Sequence, residues 1–194
     1  MQKLFLLFLA TLLRLAFVPQ AIAQNSPGKP KPSLTLAIVP TSYAGPVANS
    51  PMIVLNSADD RFYVLLTNTS DQPVKLFEEW NSWGYFGLSF EITYPNGQKV
   101  RSSKEERGWD KNVPTTVTIA PHGFYVFAVT MNNNPKNGAV WENSVLNYES
   151  KSDRAYISCR MRAIYSIQRD KEAIEEKAWT GTVSSPEGSY IVWP

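Results

Sequence analysis

The chain has 194 residues, with 19 Lys and Arg against 17 Asp and Glu, one His and one Cys. A single cysteine excludes an intramolecular disulfide, so a hydrophobic core has to hold the fold. One His and one Cys exclude a Cys/His zinc cluster, and the near balance of charge leaves no basic field to draw a nucleic-acid backbone.

In chain order, the start reads as a secretory leader. Lys3 supplies a short basic region, Leu4 to Val18 is almost wholly apolar, Pro19 breaks the run, and Ala21-Ile22-Ala23 is a small-x-small cleavage signal. Arg14 interrupts the run, which is also shorter than the roughly 20 apolar residues of a membrane span, so no retained span is expected. Cleavage after Ala23 starts the mature chain at Gln24, with no cysteine there to carry a lipid anchor. Lys3 and Arg14 leave with the leader, so 17 of the 19 basic residues remain, against 17 acidic ones. The roughly 170 residues left are enough to bury well over half of their unfolded surface.

Gln24 to Ser33 is a Pro/Lys-rich linker, and residues 34–194 read as one domain. Leu34 to Val39 is a first strand with Leu34, Leu36 and Ile38 on one face. Pro40 to Pro51 is a loop, Met52 to Leu55 a short edge piece, and Asn56 to Asp60 a turn. Arg61 to Asn68 is a strong strand with Phe62, Val64 and Leu66 inward; Tyr63 and Leu65 lie on the outer face, where some other element is expected to cover them. Asn68 to Pro73 is turn chemistry, and Val74 to Phe77 is a strand leading into Trp80 to Glu91. That stretch is crowded with aromatics, broken by Gly84 and Gly87, and passes into the alternating Leu88, Phe90, Ile92 and Tyr94.

Pro95-Asn96-Gly97 predicts a hairpin in which Asn96 and Gly97 both take positive φ, with Lys99 to Arg101 returning antiparallel. Ser102 to Pro114 reads as a polar loop, Thr115 to Ile119 as a strand, and Ala120-Pro121-His122-Gly123 as a tight turn. Phe124 to Met131 is apolar on both faces, as a central strand would be. A polar loop from Asn132 carries Trp141 and Tyr148. Ala155 to Ile167 is a long strand with Cys159 on its apolar side and Arg160 and Arg162 on the other. Asp170 to Ala178 is the one helical segment, with Asp170 as N-cap. Trp179 to Val183 and Tyr190 to Trp193 are closing strands. Nine or ten short strands and one short helix near 170–178 argue for an all-β antiparallel sandwich with Greek-key connections.

Several stretches resemble secreted bacterial immunoglobulin-like domains, including those of planctomycete type. They are Asn68 to Val74, Trp83 to Phe86 with Leu88 to Glu91, Arg107 to Asn112, Ala120 to Gly123, Arg162 to Tyr165 and Trp179 to Gly181. The resemblance implies an immunoglobulin-like β-sandwich. It implies no activity and brings no catalytic residues with it.

Enzyme chemistry lacks parts. Any Ser/His/Asp or Cys/His site has to use His122, which sits at a turn tip. Cys159 reads as a small buried hydrophobe. The neighbouring carboxylates Asp59-Asp60, Glu78-Glu79 and Glu105-Glu106 do not converge if extended, because adjacent strand residues face opposite sides. No Asp-x-Asp-x-Asp-Gly calcium loop is present. No cofactor or metal is expected.

The aromatics allow two readings. Trp80, Trp83, Tyr85, Phe86 and Trp109 can form a flat platform for a sugar ring, with Asn81, Asn112 and Glu78 as polar edges, or they can plug the end of the sandwich. The sequence therefore points to a non-catalytic module, periplasmic or extracellular, binding a protein or glycan. The alternatives are a carbohydrate-binding module using Trp80, Trp83, Tyr85, Trp109 and Asn112, and a proteinase inhibitor presenting the Ser102 to Pro114 loop.

Overall fold

Alternation of apolar and polar residues decides which face of each strand is buried, and connection length decides which strands meet. In the computed structural model, residues 33–43, 50–55, 57, 60–132, 139–148 and 156–193 are described, all within one compact unit, 32–194. The leader, the linker as far as Pro32, Asp59 and Ala155 lie outside them.

Among the described residues twelve strands are formed: β1 Leu34–Val39, β2 Met52–Val54, β3 Phe62–Asn68, β4 Val74–Phe77, β5 Leu88–Thr93, β6 Lys99–Lys104, β7 Thr116–Ile119, β8 Phe124–Val129, β9 Trp141–Glu142, β10 Ile157–Ile167, β11 Gly181–Ser184 and β12 Gly188–Trp193. Two short helices, α1 Ser82–Tyr85 and α2 Lys171–Glu175, complete the set with one 3-10 turn, Val145–Asn147. The chain is an all-β sandwich.

One sheet runs β1-β3-β8; the other runs β2-β12-β10-β5-β6-β9, with β11 also on β10. The pairings are antiparallel except β12 with β2. The first order is that of immunoglobulin strands A-B-E and the core of the second that of G-F-C-C′. A small sheet, β4 with β7, closes one end. The two main sheets meet through facing aromatics: Phe62 of β3 lies 5.6 Å from Phe90 of β5, and Phe127 of β8 lies 5.4 Å from Tyr165 of β10. Leu36, Val64, Leu66, Ile92, Met161 and Val192 are among the residues packed with them in that core.

Five expectations change. The segment near 170–178 is not the one helix, because Asn81 caps a second short one, α1, in the stretch between β4 and β5. The strand count exceeds nine or ten because the edge piece at Met52–Val54 forms a full strand and the two-residue β9 is too short to show a period. The hairpin uses a three-residue loop: Gly97 N–H donates to the Tyr94 carbonyl at 2.9 Å, and of the turn residues only Gly97 has positive φ, 84°. Pro95 fixes the first turn position at negative φ, which selects a type I turn closed by a left-handed glycine. β6 runs on through Ser102, Ser103 and Lys104 instead of ending at Arg101, so the polar loop begins at Glu105. β8 is an edge strand, not a central one: its only partner among the described residues is β3. By contrast α2 forms where expected, with Asp170 Oδ1 accepting from Ala173 N–H at 2.8 Å.

Two turns at one end are pinned by a single buried side chain. Asn68 Nδ2 donates to the Gln72 carbonyl at 2.7 Å and the Ala120 carbonyl at 3.0 Å, while Oδ1 accepts from Ser70 N–H and Oγ. In the second turn His122 takes φ 57° after Pro121, the left-handed position of a type II turn. Replacing Asn68 by Ala leaves buried carbonyls unpaired, each worth about 1–3 kcal/mol. Asn68→Ala is therefore expected to lower unfolding free energy by about 3 kcal/mol, read from guanidinium denaturation; a loss below about 1 kcal/mol contradicts this role.

Candidate functional site at the aromatic corner

Between β4 and β5 the chain turns a corner at the end of the sandwich. Asn81, fully buried, starts α1 as an N-cap, its Oδ1 accepting from Gly84 N–H at 3.1 Å. Its Nδ2 donates to the Thr115 carbonyl at 3.0 Å and so ties the turn to the chain entering β7. Gly84 is needed for space: a Cβ there would lie 2.3 Å from the Glu78 carbonyl oxygen and 2.6 Å from that of Phe77. Asn112 holds the turn from outside, accepting from Ser82 N–H at 2.9 Å and donating to Ser82 Oγ at 2.8 Å.

The two glutamates have separate tasks. Glu78 Oε2 accepts from Thr115 Oγ1 and, at 3.0 Å, from Trp80 Nε1. The Thr115 hydroxyl first and the Trp80 indole second hold its carboxyl below the ordinary range. Glu79 reaches inward, where Lys104 Nζ pairs with its Oε2 at 3.0 Å and Tyr125 OH donates to its Oε1 at 3.3 Å. Lys104 is buried, with its ammonium 4.8 Å from the Tyr85 ring centre and 5.8 Å from that of Trp141. A buried lysine needs both its counter-ion and these ring faces, since an unpaired ammonium there would be costly.

Outside this pair, the Arg107 guanidinium lies 4.6 Å from the Tyr85 ring centre and 4.2 Å from that of Trp109, and it donates to the Trp80 carbonyl at 3.3 Å. Tyr85 stands edge-on to both Trp109, at 87°, and Phe86, at 89°. Of the five aromatics, Trp80 and Phe86 are exposed, at 44% and 43% of their surface; Trp83 and Trp109 are half-buried, and Tyr85 is buried. Trp83 leans on Phe77, 6.0 Å away.

The structure thus gathers Trp80, Tyr85, Phe86 and Trp109 at one corner. It places Trp83 against the core and commits Asn112 to the backbone tether. Sequence reasoning missed Glu79, Lys104 and Arg107. The usable clue was period two: Ser102 and Lys104 share the inward face once β6 extends past Arg101, and both are buried.

Elsewhere, Cys159 lines a cleft of about 310 Å³ with Thr93, Tyr94, Pro95, Gly97, Ser158, Arg160 and Ser189. Burial pushes its thiol up to about 12, so it is no thiolate at neutral pH. His122 Nε2 lies 2.9 Å from Asp71 Oδ1, both well exposed. Among the described residues no group of three His, Cys, Asp or Glu is placed to hold a metal ion, and no helix is long and apolar enough to cross a membrane. Compared with protein-family models, curated proteins and solved structures, the chain matches none.

Buried Tyr94 and Cys159 and half-buried Tyr125 are expected to make the fold sensitive to alkali. Burial first, then Glu79, raises Tyr125 from 10.0 to about 12; burial first also raises Tyr94 to about 12 and Cys159 from 9.0 to about 12. Each holds its proton more tightly when folded, so the stability it contributes is complete below its ordinary value and is lost as pH rises through the folded one. The denaturation midpoint is expected to stay level up to about pH 9 and to fall toward about pH 12, less steeply in Tyr125→Phe. A midpoint unchanged over that window contradicts the assigned burial.

Proposed function

We propose that the chain is a non-catalytic, exported immunoglobulin-like module, akin to the secreted bacterial domains it resembles, that acts by binding in the periplasm or outside the cell. The observation that carries this reading is the corner itself. Exposed Trp80 and Phe86 sit on a backbone fixed by Asn81, Asn112 and Gly84, so large apolar groups are presented without an ordering cost. The groups best suited to catalysis are tied to structural partners: Glu78 to Thr115 and Trp80, Glu79 to Lys104 and Tyr125. Residues 1–23 act as the export leader in this reading, and residues 24–33 as a spacer.

A glycan is the second reading, favoured by Trp80 alone. Its indole N–H is fixed on Glu78 at 3.0 Å, which holds an exposed ring in one orientation, as stacking on a sugar requires. The edge-on arrangement of Tyr85 and Trp109 offers no extended flat platform beside it.

The test uses protein exported through its own leader. A generic panel of esterase, protease and glycosidase substrates is expected to remain uncleaved; hydrolysis that survives repurification and is lost in His122→Ala or Glu79→Gln contradicts the binding reading. In tryptophan-fluorescence titrations with a polysaccharide panel, any saturable quenching is expected to weaken about tenfold or more in Trp80→Ala at an unchanged unfolding midpoint. Quenching indifferent to Trp80→Ala removes the glycan reading.

A further inference from the structure

The larger sheet carries its charge on the outside. Alternation turns Ile92, Met161 and Tyr190 inward, so the register sets two outward rows across β6, β5 and β10. They are Arg101–Glu91–Arg162 and Lys99–Thr93–Arg160, the second carried on to Ser189 of β12. Glu187, in the turn before β12, reaches across to Arg160. The rows and this turn therefore hold four cations against two carboxylates. Glu91 is taken by Arg162, and Glu187 by Arg160 at 2.9 Å. Among the described residues neither Lys99 nor Arg101 has a carboxylate partner, and Arg101 donates instead to Ser89 Oγ at 3.0 Å.

The cleft of about 310 Å³ lies on the second of these rows. Thr93, Arg160 and Ser189 line it, together with Ser158 and with Pro95 and Gly97 of the hairpin turn. That volume is at the small end of ligand sites, so it suits one small molecule rather than a peptide or a helix. Its lining is mostly polar, where most ligand sites are mostly apolar. Three hydroxyls can each donate and accept, which matches hydroxyl groups on a ligand. The one formal charge among the lining residues is the Arg160 guanidinium; burial keeps Cys159 a neutral thiol.

Glu187 shows the kind of group that Arg160 holds. Its Oε1 lies 2.9 Å from Arg160 Nη1, and both side chains are exposed. An exposed pair of this kind contributes little to stability, so another carboxylate can take the place of Glu187 at small cost. The surplus of cations on the two rows favours its approach, and a guanidinium offers a carboxylate two parallel N–H groups. We propose that the cleft binds a small hydroxylated carboxylate, a sugar acid either free or at the end of a glycan. Its carboxylate sits on Arg160 in place of Glu187, and its hydroxyls meet Thr93, Ser158 and Ser189. The site follows the last residue of β5, whereas the aromatic corner precedes the first, so the two are independent.

Amide chemical-shift titration of protein exported through its own leader tests this, with glucuronate, methyl glucuronide, glucose and acetate as probes. Glucuronate is expected to shift the amides of Thr93, Ser158, Arg160 and Ser189 saturably, with a Kd of about 1 mM, and glucose and acetate to bind at least about tenfold more weakly. Methyl glucuronide separates the two sources: binding equal to that of glucuronate assigns the site to the end of a glycan, and binding about tenfold weaker assigns it to the free acid. Arg160→Gln is expected to weaken glucuronate at least about tenfold at an unchanged unfolding midpoint. Glu187→Gln, which removes the resident carboxylate, is expected to tighten it severalfold, a gain that a purely structural ion pair does not give. Trp80→Ala should leave this titration unchanged. No saturable shift at these amides up to about 50 mM glucuronate overturns the proposal. Glucose or acetate binding as well as glucuronate, or glucuronate binding that persists in Arg160→Gln, overturns it too.

Discussion

The corner between β4 and β5 depends on one close approach. Gly84 lies so near the carbonyls of Phe77 and Glu78 that no side chain fits between them. This contact folds the chain back on itself within a few residues and allows Asn81 to cap α1 while reaching Thr115. It also sends the neighbouring glutamates in different directions, Glu78 to the surface and Glu79 to the interior. A strand would have separated them too, but without lodging one beside Lys104.

The Lys104–Glu79 pair, its lysine buried and its glutamate partly exposed, then links three parts of the fold: β6, the corner and, through Tyr125, β8. Such a pair adds little net stability over an apolar replacement, but breaking it strands a charge, so it acts more as a register pin than as a source of energy. It brings the aromatic side chains of Tyr85 and Trp141 around the ammonium and leaves Arg107 to stack outside. The corner is therefore ordered from within, while Trp80 and Phe86 remain at its surface. The small β1-β3-β8 sheet contributes differently: its inner face joins the core and its outer face stays apolar and unpaired by charge.

Much of the fold was legible because strands announce themselves by period two. Leu34 to Val39, Phe62 to Asn68, Leu88 to Thr93 and the 157–167 strand bury the residues that alternation selects, Ile38 only in part. Asp170 marked its helix because a short acidic side chain can cap it. Edges were harder. Phe124 to Val129 reads as central because both faces are apolar, whereas whether a strand lies inside or at the margin of a sheet is set by its neighbours. The same ambiguity explains why Tyr63 and Leu65 suggested a covering element that no described part of the chain supplies.

The corner was legible as a place but not as an arrangement. Aromatic density located it, and Gly84 and Gly87 signalled close backbone contact, which both glycines make. Nothing in a run of Trp, Tyr and Phe says which ring faces solvent. That depended on Glu79 and Lys104, residues that look like ordinary surface charges until Lys104 is placed on the inward face of β6. Asn112 looked like a ligand edge because an amide suits that role equally well; its partners turned out to be the backbone and hydroxyl of Ser82.

The most direct test of this account is the stability of Gly84→Ala, measured by equilibrium denaturation together with amide exchange across residues 82–85. If the approach to the Phe77 and Glu78 carbonyls organises the corner, the variant loses about 3 kcal/mol or more and its α1 amides exchange freely. A variant with wild-type stability and protected α1 amides would contradict the account.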